Sequence, residues 1–148
     1  MTRILLLHGP NLNRLGHRDP RHYGTITLPE LEALVRERGR ELGFEVAAFQ
    51  SNHEGALVDR LQEETGRAAG CIVNPGALAH QSYVLHDAIL DFGAPVVEVH
   101  LSRISEREPW RRVSVIRPAC AAQVEGLGPD GYLRALAILA DLLGRGSR

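Results

Sequence analysis

The sequence predicts an α/β protein built on a doubly wound, five-stranded parallel sheet with helices on both faces. Three observations carry the prediction. Short apolar runs of strand type alternate about five times with longer segments of helical period. No tight hairpin signal joins any two of the runs, so each strand is expected to return through a helix and lie parallel to its neighbour. Polar residues collect just beyond the ends of the apolar runs, where open parallel sheets bind their ligands. At 148 residues the chain has the size of a single domain, 1–148, of flavodoxin-like type with strand order 2-1-3-4-5.

The first strand is expected over residues 4–7, breaking at Gly9-Pro10-Asn11 into a loop rich in Arg, His and Gly that runs to Tyr23. That loop is long for a strand-to-helix connection and reads as a lid carrying Arg18 and Tyr23. Thr27-Leu28-Pro29-Glu30 is a capping box with an early proline, which opens a helix reaching residue 42. Leu31, Leu34, Val35, Arg38 and Leu42 recur there at helical spacing, and Gly43 closes the helix. A second strand follows over 44–50, a turn over 51–55, and a helix with Leu57, Val58 and Leu61 on one face. The third strand, 70–73, stops at Asn74-Pro75-Gly76, and a helix is expected over 82–91. A fourth strand at 95–101, an Arg-rich segment at 103–112 and a short fifth strand at 121–124 come next. The closing helix, 130–143, is expected to turn Leu133, Leu136, Ala137, Ala140 and Leu143 inward.

Composition narrows the function classes. A hydrophobic content of 44% is ample for one core, and a formal charge of −1 gives no reason to expect a nucleic-acid or membrane-surface partner. No apolar run approaches the ~20 residues of a membrane span, and the start lacks a signal-peptide pattern; a soluble cytoplasmic protein is expected. Cys71 and Cys120 lie in apolar contexts and read as buried thiols. All 17 basic residues are Arg, which excludes a lysine Schiff base and the usual P-loop lysine. The histidines lack metal-ligand spacing and no GxGxxG follows the first strand, so neither metal nor dinucleotide cofactor is expected.

In the order 2-1-3-4-5, strands one, three and four are consecutive, and their ends converge. Strand one delivers Asn11, Arg18 and Tyr23; strand three delivers Asn74, His80 and Ser82; strand four delivers Glu98, His100 and Ser102. Glu98 and His100, two apart, share one face of their strand. A carboxylate beside an imidazole stabilises imidazolium charge, as a proton donor requires; the plainer alternative is a solvated edge pair. Free phenols ionise near pH ~10, and Arg18 on the same loop would stabilise a Tyr23 phenolate; equally, Tyr23 could simply close the loop against the core. Asn11 and Asn74 taken singly are turn residues, His80 a hydrogen-bonded turn histidine, and Arg107, Arg111 and Arg112 either a solvated face or an anion clamp.

The motifs also resemble a known family, the type II 3-dehydroquinate dehydratases. The matching stretches are Gly9-Pro10-Asn11-Leu12-Asn13, Leu15-Gly16-His17-Arg18-Asp19-Pro20, Tyr23-Gly24, Gln50-Ser51-Asn52-His53-Glu54-Gly55, and Asn74-Pro75-Gly76-Ala77 with His80 and Ser82. They continue through Asp87-Ala88, Glu98-Val99-His100-Leu101-Ser102, Arg107-Glu108, Arg111, Gly126-Leu127-Gly128 and Gly131-Tyr132, in order along nearly the whole chain.

The resemblance implies a hydro-lyase that interconverts 3-dehydroquinate and 3-dehydroshikimate without cofactor or metal. By the same resemblance Tyr23 is the base, Arg18 its activator, Asn11 the holder of a water on the enolate oxygen, and His100 the acid oriented by Glu98. Asn74, His80 and Arg111 would bind the substrate's hydroxyls, Leu101 and Ser102 its carboxylate, with Arg107 nearby. Asp87 would reach a neighbouring subunit's site in a homododecamer built from trimers. His8, Gln81, His86, Arg103 and Glu125 depart from the family pattern. The rival reading is a non-catalytic small-acid or nucleotide-binding module on the same fold.

Overall fold

In the computed structural model, which describes residues 1–145, five strands form one sheet. The last residues of the expected domain, Gly146, Ser147 and Arg148, lie outside the described residues. The strands are β1 (Thr2–His8), β2 (Phe44–Gln50), β3 (Gly70–Asn74), β4 (Val96–His100) and β5 (Ala122–Glu125), in the order β2-β1-β3-β4-β5. Every neighbouring pair is parallel, so the predicted order holds. Asn74 and His8 face each other across β1 and β3, which end level.

The helices are α1 (Pro20–Tyr23), α2 (Leu28–Glu41), α3 (Glu54–Glu64), α4 (Tyr83–Phe92) and α5 (Asp130–Leu142). Alternation along the strands divides the core. Ile4, Leu6, Ile72, Val97 and Val99 pack with α2 and α5, whereas Leu5, Leu7, Cys71, Val73 and Val96 pack with α3 and α4. β3 and β4 are buried on both faces, which is why they read as unbroken apolar runs. The capping box is present: Thr27 Oγ1 accepts from the Glu30 backbone and Glu30 Oε1 accepts from the Thr27 N–H at 3.1 Å. The turn after Gln50 is shorter than expected, because α3 already begins at Glu54.

Two helical faces differ from expectation. On α2 the inward residues are Leu28, Leu31, Val35 and Gly39; Leu34 is exposed and Arg38 pairs with Glu41 in solvent at 3.0 Å. On α5 the buried residues are Gly131, Tyr132, Ala135, Leu136, Leu139 and Ala140, and Ala137 faces out. Two adjacent stripes of this Leu/Ala-rich helix satisfy the same i, i+3, i+4 spacing. The fully buried Tyr132, whose hydroxyl is hydrogen-bonded to Asn74, occupies the inward one. The departures are also accommodated: Glu125 lies on the edge strand and accepts a hydrogen bond from Ser105, and His86 Nδ1 donates to the Val115 carbonyl at 2.7 Å.

The loops after β1 and β3 interlock. Gly9 N–H donates to the Asn74 carbonyl at 2.7 Å, and a Cβ on Gly9 would sit 2.4 Å from the Pro75 carbonyl oxygen. Gly76, at φ +58, approaches the Pro10 carbonyl in the same way, and a Cβ there would sit 2.9 Å from its oxygen. Neither contact leaves room for a side chain, and both obstacles are backbone, which yields least. Gly9→Ala should therefore cost about 1–3 kcal/mol in urea unfolding. Gly55→Ala, where nothing lies within 4 Å of the new Cβ, should be neutral or slightly stabilising. Equal midpoints for the two variants would contradict the interlock.

Candidate active site

The interlocked loops form one side of a cleft at the C-terminal edge of the sheet. It is lined by Asn11, Arg18, Tyr23, Asn74, His80, His100, Leu101, Ser102, Arg107 and Arg111, together with Leu12, Gly76, Ala77 and Ile104. Ten of the twelve residues to which the resemblance assigns a role thus meet around one space. Glu98 is fully buried behind His100. Asp87 is exposed on α4, outside the cleft of its own chain. Ser82 also stays out: its hydroxyl accepts from the Leu85 N–H at the start of α4 and donates to Glu54 at 2.5 Å. Arg112 is tied to the Arg107 carbonyl at 2.8 Å and does not line the cleft.

The first wall comes from the loop after β1. Asn11, at φ 71, is the one non-glycine residue with positive φ among those described; asparagine tolerates this conformation better than most residues. Its backbone N–H is held by Asn52 Oδ1 at 2.9 Å, and Gln50 Nε2 donates to both Asn52 Oδ1 and the Gly9 carbonyl. The end of β2 therefore holds the loop of β1 in place. Further on, Asp19 caps the short helix α1, which ends at Tyr23.

Tyr23 sits between two guanidinium groups. Arg18 lies over its ring at 3.7 Å from the centroid, and Arg107 Nη1 donates to its hydroxyl at 2.9 Å and to Ser102 Oγ at 3.3 Å. The direct contact to the phenol oxygen is thus made by Arg107, which sequence reasoning placed only near the site. Burial lowers the pKa of Arg18, Tyr23 opposes that, and Arg111 and Arg107 facing the same cleft lower it further. A cleft bearing three guanidiniums favours an anionic guest.

The opposite wall is more rigidly built. His100 Nε2 donates to Glu98 Oε2 at 2.6 Å, with the histidine 5% and the glutamate 0% exposed; the solvated-edge reading of this pair is excluded. Glu98 Oε2 also accepts from Ser114 Oγ at 2.7 Å, while Oε1 is buried without a partner among the described residues. Because Nε2 is committed to the carboxylate, the imidazole's remaining nitrogen is the one free to exchange a proton. His80 lies against His100 with ring centroids 6.3 Å apart. Its Nδ1 donates to the Val113 carbonyl at 2.8 Å, leaving Nε2 without a hydrogen-bond partner among the described residues. Burial, chiefly, lowers its pKa and keeps it neutral.

Asn74 closes the floor. Its Oδ1 accepts from the Gly76 N–H at 3.1 Å and its Nδ2 donates to the Tyr132 hydroxyl at 2.8 Å. Arg111 reaches the cleft while donating to Glu108 at 2.8 Å and covering Trp110 at 4.0 Å. Arg103 turns its side chain over Gly126 and away from this cleft. Sequence reasoning missed Ser114 and the structural part of Tyr132. Ser114 lies 16 residues from Glu98 in a segment without regular structure and carried no signal of its own. Among the described residues, no group of three or more His, Cys, Asp or Glu side chains is placed to hold a metal ion.

A family model described as dehydroquinase class II matches residues 2–140. The chain belongs to this family. A 3-dehydroquinate dehydratase of Roseiflexus castenholzii is 49% identical over 144 residues, 97% of this chain and 92% of that one. Among solved structures, the type II dehydroquinase of Butyrivibrio crossotus superposes with a TM-score of 0.91 at 39% identity, covering 93% of this chain and 97% of the other. That of Propionibacterium acnes superposes with a TM-score of 0.92 at 38% identity, covering 95% and 97%. The five-stranded fold and its strand order are those of the family, and the cleft lies in the matched region.

The Ser114 contact generates a test of its own. Ser114→Ala removes one of the two groups satisfying a buried carboxylate, and hydrogen bonds to charged groups contribute about 1.5–3 kcal/mol. The variant should unfold at lower denaturant by that amount; an unchanged midpoint would mean that Ser114 does not satisfy Glu98.

Proposed function

We propose that this chain eliminates water from 3-dehydroquinate to give 3-dehydroshikimate, reversibly, with the chemistry divided between the two walls of the cleft. Family membership supports the reaction. The observation that carries the assignment of residues is that Tyr23, in contact with two guanidiniums, shares one cleft with the buried His100–Glu98 pair.

In this reading Tyr23, as phenolate stabilised by Arg107 and Arg18, takes the C2 proton next to the ketone. The C–H electron pair moves onto the carbonyl oxygen, giving an enolate, and Asn11 positions a water that stabilises that oxygen. As the enolate collapses, the C1–O bond breaks and His100, oriented by Glu98, supplies the proton with which hydroxide leaves as water. Leu101 and Ser102 receive the substrate carboxylate, with the guanidiniums supplying the positive field, while Asn74, His80 and Arg111 hold its hydroxyls. Side chains account for each proton and electron pair, so the reading needs no cofactor. The chemistry is complete without lysine, which this chain lacks.

The reading extends to a single catalytic domain, 1–148, in the cytoplasm, assembled as a homododecamer of trimers in which Asp87 reaches a neighbour's cleft. Support for an assembly comes from α4, where Tyr83, Val84 and Leu90 are 70%, 55% and 56% exposed beside Asp87. No helix among the described residues is long and apolar enough to cross a membrane.

The assay is the ultraviolet absorbance of the conjugated product. Wild-type protein should turn substrate over. Tyr23→Phe and His100→Ala should each lose about 10²–10⁴-fold in kcat with smaller changes in binding. Binding without turnover by the wild type would select the non-catalytic module instead. Near-normal turnover by either variant would remove that residue from its role. Sedimentation velocity should show a twelve-chain species; a monomer at assay concentration would overturn the assembly.

A further inference from the structure

Behind the cleft, on the α2/α5 side of the sheet, lies an ionisable pair that the reaction itself does not use. His8 ends β1 and is fully buried. Among the described residues neither ring nitrogen has an aligned hydrogen-bond partner, yet Nε2 stands 3.2 Å from Glu32 Oε2 on α2, within ion-pair distance. His8 holds the carboxyl of Glu32 below its usual pKa range, against the burial that would raise it. A buried imidazole and a carboxylate at the core boundary are costly to keep, so a plain filler role explains them poorly.

What His8 faces is Tyr132. The His8 ring lies tilted at 45° to the Tyr132 ring with centroids 6.2 Å apart, and the charge of Glu32 acts on the same phenol. Burial pushes the Tyr132 hydroxyl far above the ordinary phenol range, so it stays neutral. Its oxygen accepts from Asn74 Nδ2. The orientation of that carboxamide is not free, because Oδ1 is already taken by the Gly76 N–H. Asn74 is thus fixed at one end by its own loop and at the other by a tyrosine against which the Glu32-paired His8 packs.

We propose that His8 and Glu32 are positioning residues: His8, packed against Tyr132 and held by its pairing with Glu32, sets the carboxamide of Asn74 at the angle it presents to the cleft. The four residues come from β1, α2, α5 and the end of β3, so nothing but the fold brings them together. The inference rests on the reading of Asn74 as a substrate contact, and its test separates the two.

Steady-state kinetics would be measured for Asn74→Ala, Tyr132→Phe, His8→Ala and Glu32→Gln, and for each of the last three combined with Asn74→Ala. Tyr132→Phe keeps the ring and Glu32→Gln keeps the shape, so both report even where His8→Ala fails to fold. Asn74→Ala should raise KM about tenfold with a much smaller change in kcat, the pattern of lost uniform binding. Tyr132→Phe and Glu32→Gln should raise KM in the same pattern, by about three- to tenfold. Combined with Asn74→Ala, neither should add a further effect, because residues acting through one contact are not additive. Unchanged KM in Asn74→Ala would overturn the substrate contact itself. A KM effect in Asn74→Ala that is absent from the Tyr132 and Glu32 variants, or that multiplies with theirs, would overturn the positioning role and leave the contact standing.

Discussion

The site depends first on how closely two strand ends approach. β1 and β3 lie side by side and end level, and the Gly9 N–H closes on the Asn74 carbonyl where their ladder stops. Only because Gly9 and Gly76 lack side chains can the following loops pass at backbone contact. That approach places Asn11 beside Asn74, and Arg18 and Tyr23 across from strand β4. Everything chemical is hung on this junction. The polar groups that secure it, Gln50 and Asn52, come from the end of β2 and touch the loop rather than line the cleft.

Electrostatics then divides the cleft. One wall carries guanidiniums around a phenol; the other carries an imidazole backed by a buried carboxylate. A buried charge is tolerated only where its partners are close and well aligned. Glu98 satisfies that through His100 and Ser114 on one oxygen. The other oxygen has no partner among the described residues, which concentrates the burden on Oε2. A carboxylate so constrained orients an imidazole strongly. The Tyr23 wall is held differently, by contacts from Arg18 on its own loop and from Arg107 in the segment after β4.

Much of this was legible from the sequence, for physical reasons that differ by element. Parallel order followed from the absence of hairpins, and the α2 start from a capping box whose reciprocal hydrogen bonds are local. Glu98 and His100 could be paired because strand geometry alone puts them on one face. The inward face of α5 was not legible, since Leu and Ala fill two adjacent stripes equally well and the choice is made by a contact 58 residues away, Tyr132 to Asn74. The direct partner of Tyr23 was missed for a similar reason. Arg18 is close in sequence, but the hydroxyl contact comes from Arg107, 84 residues on, and a run of arginines does not announce which one turns inward. Ser114 has no periodicity to reveal it.

The division between near and far contacts bears on how such a site is specified. Local rules supply the pieces: a strand that ends in Gly-Pro-Asn, a capped helix, two residues on one strand face. Long-range contacts then choose among rotations and side-chain directions that local rules leave equivalent. Asn74 illustrates both. Its neighbour Gly76 fixes the carboxamide oxygen two residues away, a turn feature any sequence reader would expect. Its nitrogen, however, points at Tyr132 from a different layer of the fold. An asparagine held only by its turn would keep one end free to swing. With the second bond made inside a fully buried phenol, the amide edge on the cleft becomes part of the core, and the precision of the site is drawn from the packing of α5 rather than from the loop that carries the residue.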